Sequence, residues 1–121
     1  MKISGLGYVG FGAPKVDDWV SFARDVIGLQ LGRAPGPDAY VPASANPERG
    51  ADGSAYFTAD EWSWRLAIHP SEQSGIRYIG FEVASEAELD EALEELTAAG
   101  FPAQRGSVQD AQARAVTGIG F

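Results

Sequence analysis

Hydrophobic and polar positions change period several times along the chain, and each change marks an element. In Leu6-Gly7-Tyr8-Val9-Gly10-Phe11 the pattern predicts a strand. Its two faces carry Val9, Phe11 and Ala13 on one side and Tyr8, Gly10 and Gly12 on the other. Beyond Pro14 the spacing turns helical. Trp19, Phe22, Ala23, Val26 and Ile27 form one stripe, Asp17 and Asp18 lie in the first turn, and Gly28 stands where a C′ glycine ends a helix. Leu29-Gln30-Leu31 reads as a short strand. Ala55-Tyr56-Phe57-Thr58 and Ser63-Trp64-Arg65-Leu66-Ala67-Ile68 read as a β-hairpin turning at Asp60-Glu61.

The second half repeats the opening. Tyr78-Ile79-Gly80-Phe81 matches Tyr8-Val9-Gly10-Phe11 at an offset of 70, and an amphipathic helix again comes next. Ser85 and Glu88 have capping-box spacing, Leu89, Ala92, Leu93 and Leu96 make the buried stripe, and Gly100 closes the helix. Glu86, Asp90, Glu91, Glu94 and Glu95 cover its outer side and read as a solvated face rather than a cation site. Phe101 to Arg105 and Arg114 to Phe121 are expected as further strands. Within the first half, residues 34–54 hold four of the seven prolines. That stretch reads as an excursion from the fold, with one short strand near Tyr40.

A duplicated unit of strand, helix and three strands (βαβββ) explains this order. Residues 1–121 are expected to form one α+β domain, with module 1 at about 1–70 and an incomplete module 2 at about 76–121. Strands should outnumber helices about three to one. Two such sheets side by side enclose a concave surface lined by one parity of side chains, and Tyr8 and Tyr78 are of that parity.

Charge and composition narrow the chemistry. With 9 basic against 17 acidic residues and a net charge of −8, the chain lacks the clustered Lys and Arg that grip nucleic acid or anionic membranes. No cysteine is present, which excludes disulfides, thiolate nucleophiles and iron–sulfur clusters. A single histidine, His69, cannot supply a site built from two or three imidazoles within one copy. No apolar run approaches the ~20 residues that span a bilayer, and the start has no secretory pattern, so a cytoplasmic protein is expected. His69 reads as a surface or strand-end residue. Trp62 and Trp64 alternate with Ser63 and Arg65 and should share a side, in the core or against a companion domain. Arg65 and Arg114 are expected to pair with the abundant carboxylates.

Five segments taken in order carry a resemblance. They are Leu6-Gly7-Tyr8-Val9-Gly10-Phe11, the helix end Val26-Ile27-Gly28-Leu29, Trp64-Arg65-Leu66-Ala67-Ile68, Tyr78-Ile79-Gly80-Phe81-Glu82-Val83 and Gly118-Ile119. Together they resemble the N-terminal domain of type I extradiol ring-cleaving dioxygenases, the family of the 2,3-dihydroxybiphenyl 1,2-dioxygenases. That family lies in the vicinal oxygen chelate superfamily, with glyoxalase I and the bleomycin resistance proteins. The likeness covers nearly the whole chain apart from residues 34–54, and it implies paired βαβββ modules, the second lacking its last strand.

Metal-binding members of the superfamily use a His on the first strand of each unit and a Glu near the end of a last strand. In extradiol enzymes these hold Fe(II) and leave positions open for catecholate and oxygen. The matching positions here are Tyr8 and Tyr78, and the sequence stops before the strand that would bring the Glu. The resemblance therefore implies no metal, cofactor-binding or catalytic residue in this chain, with Fe(II) expected in a C-terminal domain missing from it. The expected partner is that catalytic domain or a second copy of the chain. Tyr8 and Tyr78 would then fill, or line, the cavity that a metal occupies elsewhere. A metal-free protein that sequesters a small molecule, as bleomycin resistance proteins do, is the alternative; a glyoxalase-like isomerase would need the missing ligands.

Overall fold

The computed structural model describes residues 1–35 and 47–121; the strand expected near Tyr40 lies outside them. Five strands form one mixed sheet in the order β2-β3-β4-β1-β5: β1 (Gly5–Ala13), β2 (Gln30–Leu31), β3 (Ala55–Thr58), β4 (Leu66–Pro70) and β5 (Gly75–Glu82). The first four, with helix α1 (Val16–Phe22), make a complete βαβββ module in which β1 lies parallel to β4. β5 opens the second module and runs antiparallel to β1. The α+β class and the paired-module plan thus hold.

Period-two alternation gives the sheet two apolar faces. Ala13, Ala55, Phe57 and Ile68 point to the helix side, where Val16 and Ala23 join them and Phe11, Trp19, Val20 and Leu31 pack around. The residues between them, Tyr8, Tyr56 and Ala67, point the other way and cluster with Trp64, Tyr78 and Ala115. Phe57 and Ile68 are fully buried, so the module 1 core is closed.

The first helix departs from the expected stripe. Its Ala23–Ile27 end is a π turn, closed by Gly28 at φ 83°. Such a turn carries more residues than an α turn and rotates the side chains beyond it away from the sheet. Ala23 is buried, as expected, but Val26 and Ile27 lie 71% and 53% exposed; Phe22, the last residue before the turn, is also 45% exposed and packs edge to face with Trp19. The hairpin also begins later than its hydrophobic pattern suggests. Thr58 donates from Oγ1 to the Trp62 carbonyl (2.8 Å), and Asp60 accepts from the Trp62 N–H (3.0 Å). These bonds hold residues 60–63 in a turn, so strand alternation does not reach Trp62. Trp64 is 4% exposed and Trp62 38%, and the two indoles do not share an environment.

Module 2 is much less complete than its sequence pattern. Helix α2 (Glu86–Ala98) forms where expected, with Ser85 Oγ accepting from the Glu88 N–H at 3.2 Å. Glu88 reaches back to the N–H of Ala84, one residue before the expected box partner. Ala92 is buried, while Leu89, Leu93 and Leu96 are only half-buried. On the outer side, Glu86 and Asp90 both accept from Arg105, and Glu95 meets the N-terminal ammonium. The strands expected at 101–105 and 114–121 reduce to one bridge, Arg105 to Gly120. Helix α3 (Val108–Gln112) intervenes, started by a reciprocal Ser107–Asp110 capping box. Ser-x-x-Asp is its signal in the sequence, one that apolar runs on either side conceal. Five strands to three α-helices among the described residues replaces the expected three to one. No helix among them is long and apolar enough to cross a membrane.

Candidate functional site

The repeat places its two copies against each other. In the β1–β5 register Tyr8 opposes Gly80 and Gly10 opposes Tyr78. Each phenol lies flat over the partner glycine, and a Cβ at either glycine would overlap the ring. Glycine is needed here for close approach rather than for an unusual φ. The two tyrosines therefore meet at the module seam, ring centroids 6.0 Å apart and edge to face.

Three more rings complete the site. Trp64, just ahead of β4, lies 4.9 Å from Tyr8 and 5.5 Å from Tyr56 of β3. His69 of β4 lies 6.2 Å from Tyr56 and 5.6 Å from Tyr78. The contacts run Trp64, Tyr8, Tyr78, His69, Tyr56 and back to Trp64, a closed circuit of five rings on the face away from α1. Edge-on and tilted pairs suit the opposed charges of ring faces and edges. The chain beyond α3 crosses this face. The Arg114 guanidinium carbon stands 4.2 Å over the Tyr78 ring, and buried Ala115 enters the cluster in the left-handed region at φ 57°.

His69 links the modules by hydrogen bonds. Its Nδ1 is 2.7 Å from Ser54 Oγ and its Nε2 2.6 Å from the Tyr78 hydroxyl. Ser54 is fully buried and delivered by a tight turn, with Asp52 Oδ1 accepting from its N–H at 2.9 Å. Burial lowers the His69 pKa although the Asp52 charge opposes the shift, and Arg77 and Arg114 lower it further. A neutral imidazole satisfies both neighbours with one N–H and one lone pair. Burial likewise raises the phenols of Tyr8 and Tyr56, and pushes Tyr78 up to about 12 against the pull of Arg114. At neutral pH the site offers π faces and neutral hydroxyls, with no thiolate and no phenolate.

Tyr8 and Tyr78 come together as the repeat suggests. His69 does not behave as a surface histidine: it is half-buried and doubly bonded at the seam. Its place and that of Tyr56 were legible from strand parity, since Ala67 and His69 alternate with Ile68. Arg65 pairs with Asp60 (2.8 Å) and Glu82 (2.7 Å), as expected. Among the described residues Arg114 forms no salt bridge: its guanidinium lies over the Tyr78 ring, the Ala113 carbonyl accepts from it at 3.3 Å, and the Asp110 carboxylate feels its charge through space. No periodicity announced that. Among the described residues no three His, Asp or Glu side chains gather into a group able to hold a metal ion.

No family model matches the sequence. Individual proteins do. Biphenyl-2,3-diol 1,2-dioxygenase of Sphingomonas paucimobilis is 28% identical over 119 residues, 98% of this chain and 35% of that protein. The enzyme of the same name from Paraburkholderia xenovorans (strain LB400) is 31% identical over 120 residues, 98% of this chain and 35% of its own. The crystal structure of a halotolerant catechol dioxygenase superposes with a TM-score of 0.81 at 31% identity, covering 98% of this chain and 35% of the other. The chain thus spans about a third of the length of the curated relatives it matches.

Proposed function

Since the chain is a domain-sized relative of the extradiol ring-cleaving dioxygenases and shares their vicinal oxygen chelate fold, we propose that it is the non-catalytic N-terminal domain of such an enzyme. The enzyme would be cytoplasmic and act on catechol-type aromatic diols. Fe(II), which would bind the diol and oxygen, belongs in this reading to a companion C-terminal domain. The chain's own role is to scaffold that domain. Side chains such as Leu6, Ile79 and Phe81, 47–61% exposed along β1 and β5, are what the companion domain or a second copy would cover.

One observation carries the assignment of a scaffold role. The residues that meet at the seam, Tyr8 and Tyr78, are phenols held protonated by burial, with the Arg114 cation beside them. Fe(II) asks for imidazole and carboxylate donors, and while the guanidinium lies beside the rings it repels a second, inorganic cation. His69, the one imidazole, has both nitrogens engaged by Ser54 and Tyr78. These residues do not fit the metal.

The purified 121-residue chain should therefore hold no stoichiometric iron and give no yellow product from 2,3-dihydroxybiphenyl. One iron per chain, or ring cleavage above background, would overturn the scaffold assignment. The coding frame should continue into a second module pair carrying two His and one Glu. A stop codon with no such sequence downstream would instead favour a stand-alone, metal-free binding protein, a reading that the half-buried rings of Tyr8, Tyr56 and Tyr78 support.

A further inference from the structure

One cation lies against the five-ring circuit, and its surroundings bear on what the rings could accept. Arg114 is a cation in a chain with 17 acidic residues, and yet among the described residues it forms no salt bridge. Its guanidinium lies instead on the face of Tyr78 at 4.2 Å, close enough to act electrostatically on Tyr8, Tyr56 and His69 as well. The backbone bends to put it there. Ala115, its neighbour, sits at φ 57°, a conformation that a residue with a Cβ adopts only at a cost. Packing of Ala115 against Trp64 and the tyrosines holds that geometry.

We propose that the circuit of Tyr8, Tyr56, Trp64, His69 and Tyr78 is a cage for a soft organic cation, a quaternary ammonium or guanidinium group, that the chain fills with its own Arg114. Aromatic faces attract weakly hydrated cations through the ring quadrupole. None of the five rings carries an anionic donor, and the Asp52 and Asp110 carboxylates act on the site only through space, so strongly hydrated inorganic cations gain too little there to shed their water. All five rings except Trp64 are only half-buried, as is Arg114, so the cluster keeps contact with solvent. In this view Arg114 is an internal ligand, and segment 114–115 a strap that competes with outside cations. The inference stands apart from the dioxygenase-domain reading, because it concerns what the rings bind and not what a companion domain does.

The test uses the full chain with Arg114→Ala, and Arg114→Gln as the variant that keeps side-chain length without charge. Choline chloride is titrated while the ring protons of the tyrosines are monitored by NMR. Sodium chloride serves as the ionic-strength control and 3,3-dimethyl-1-butanol as the neutral isostere. Both variants should show saturable shifts, about tenfold tighter for choline than in the parent chain and about tenfold tighter than for the neutral alcohol. Adding Tyr78→Leu to Arg114→Ala should abolish them. An equal response in the parent chain, an equal response to the alcohol, or no saturable response would each overturn the cage. Loss of folding in both Arg114 variants would overturn it too, by making Arg114 a structural member and not a displaceable occupant. Failure here leaves the iron and ring-cleavage results untouched.

Discussion

Modules 1 and 2 begin with the same four-residue pattern and end in very different states. In module 1, β1 has β4 alongside, the hairpin closes the sheet, and Phe57 and Ile68 are sealed beneath α1. In module 2, β5 has only β1 for a partner. Its outward side chains Ile76, Ile79 and Phe81 remain 60%, 47% and 61% exposed, and the Leu residues of α2 are half-covered. A strand with an apolar face needs both a neighbour and a covering layer before its pattern becomes stability. Similar sequence therefore gives a closed core once and an open one once, and the difference lies in what surrounds each strand.

The contrast is broken most directly at its two phenylalanines. Phe57→Ala empties a fully enclosed site and should cost about 3–5 kcal/mol, from lost transfer energy and the cavity left behind. Phe81→Ala removes a ring that is 61% exposed and should change stability by no more than about 0.5 kcal/mol. Urea unfolding of both variants decides. Comparable losses would mean that module 2 is as closed as module 1.

The seam offers a smaller and sharper comparison. Gly10→Ala and Gly80→Ala each drive a methyl into the opposing tyrosine ring, and each should destabilise by about 1–3 kcal/mol. Gly10→Ala should cost more, because displacing Tyr78 also stretches its 2.6 Å bond to His69, and Tyr8 carries no such bond. Gly5→Ala, in the same strand with open space around it, should be neutral or slightly stabilising. Equal effects at all three positions would show that the ring-over-glycine contacts are not what holds the modules together.

How far the sequence reaches obeys the same division. The module 1 strands, the hairpin, the start of the first helix and the meeting of Tyr8 with Tyr78 were legible, because alternation and an internal repeat report directly on which face is buried. The π turn was not, since hydrophobic spacing at Val26 and Ile27 fits an α-helix and a slip of one residue leaves no mark in composition. Nor were residues 101–121, where short apolar runs promise strands that have too few neighbours to pair with, and where Ser107 and Asp110 start a helix instead. At the site, parity could have placed Tyr56 and His69. The choice of π faces over carboxylates by Arg114 depends on the path of the chain after α3, which no local pattern encodes.

The smallest effect tests whether His69 couples the modules through charge state. Its folded pKa is depressed below the ordinary 6.5, chiefly by burial, so the unfolded chain binds the proton more readily. The stability this contributes is complete above about pH 6.5 and declines as pH falls toward the lower folded value. Protonation leaves both hydrogen bonds possible, because the Ser54 and Tyr78 oxygens can accept, but it places a half-buried cation near Arg77 and Arg114, with Asp52 the one compensating carboxylate among the described residues. As the sole histidine, His69 dominates the range between the carboxylates and the terminal amine. The melting temperature should fall by a few degrees between pH 7 and 5.5 in the parent chain and by less in His69→Gln. Hydrogen exchange at the β5 amides should show the same pH trend, since Tyr78 is the residue that His69 holds. If the variant keeps the full pH slope, the imidazole bridges the seam without sensing protons.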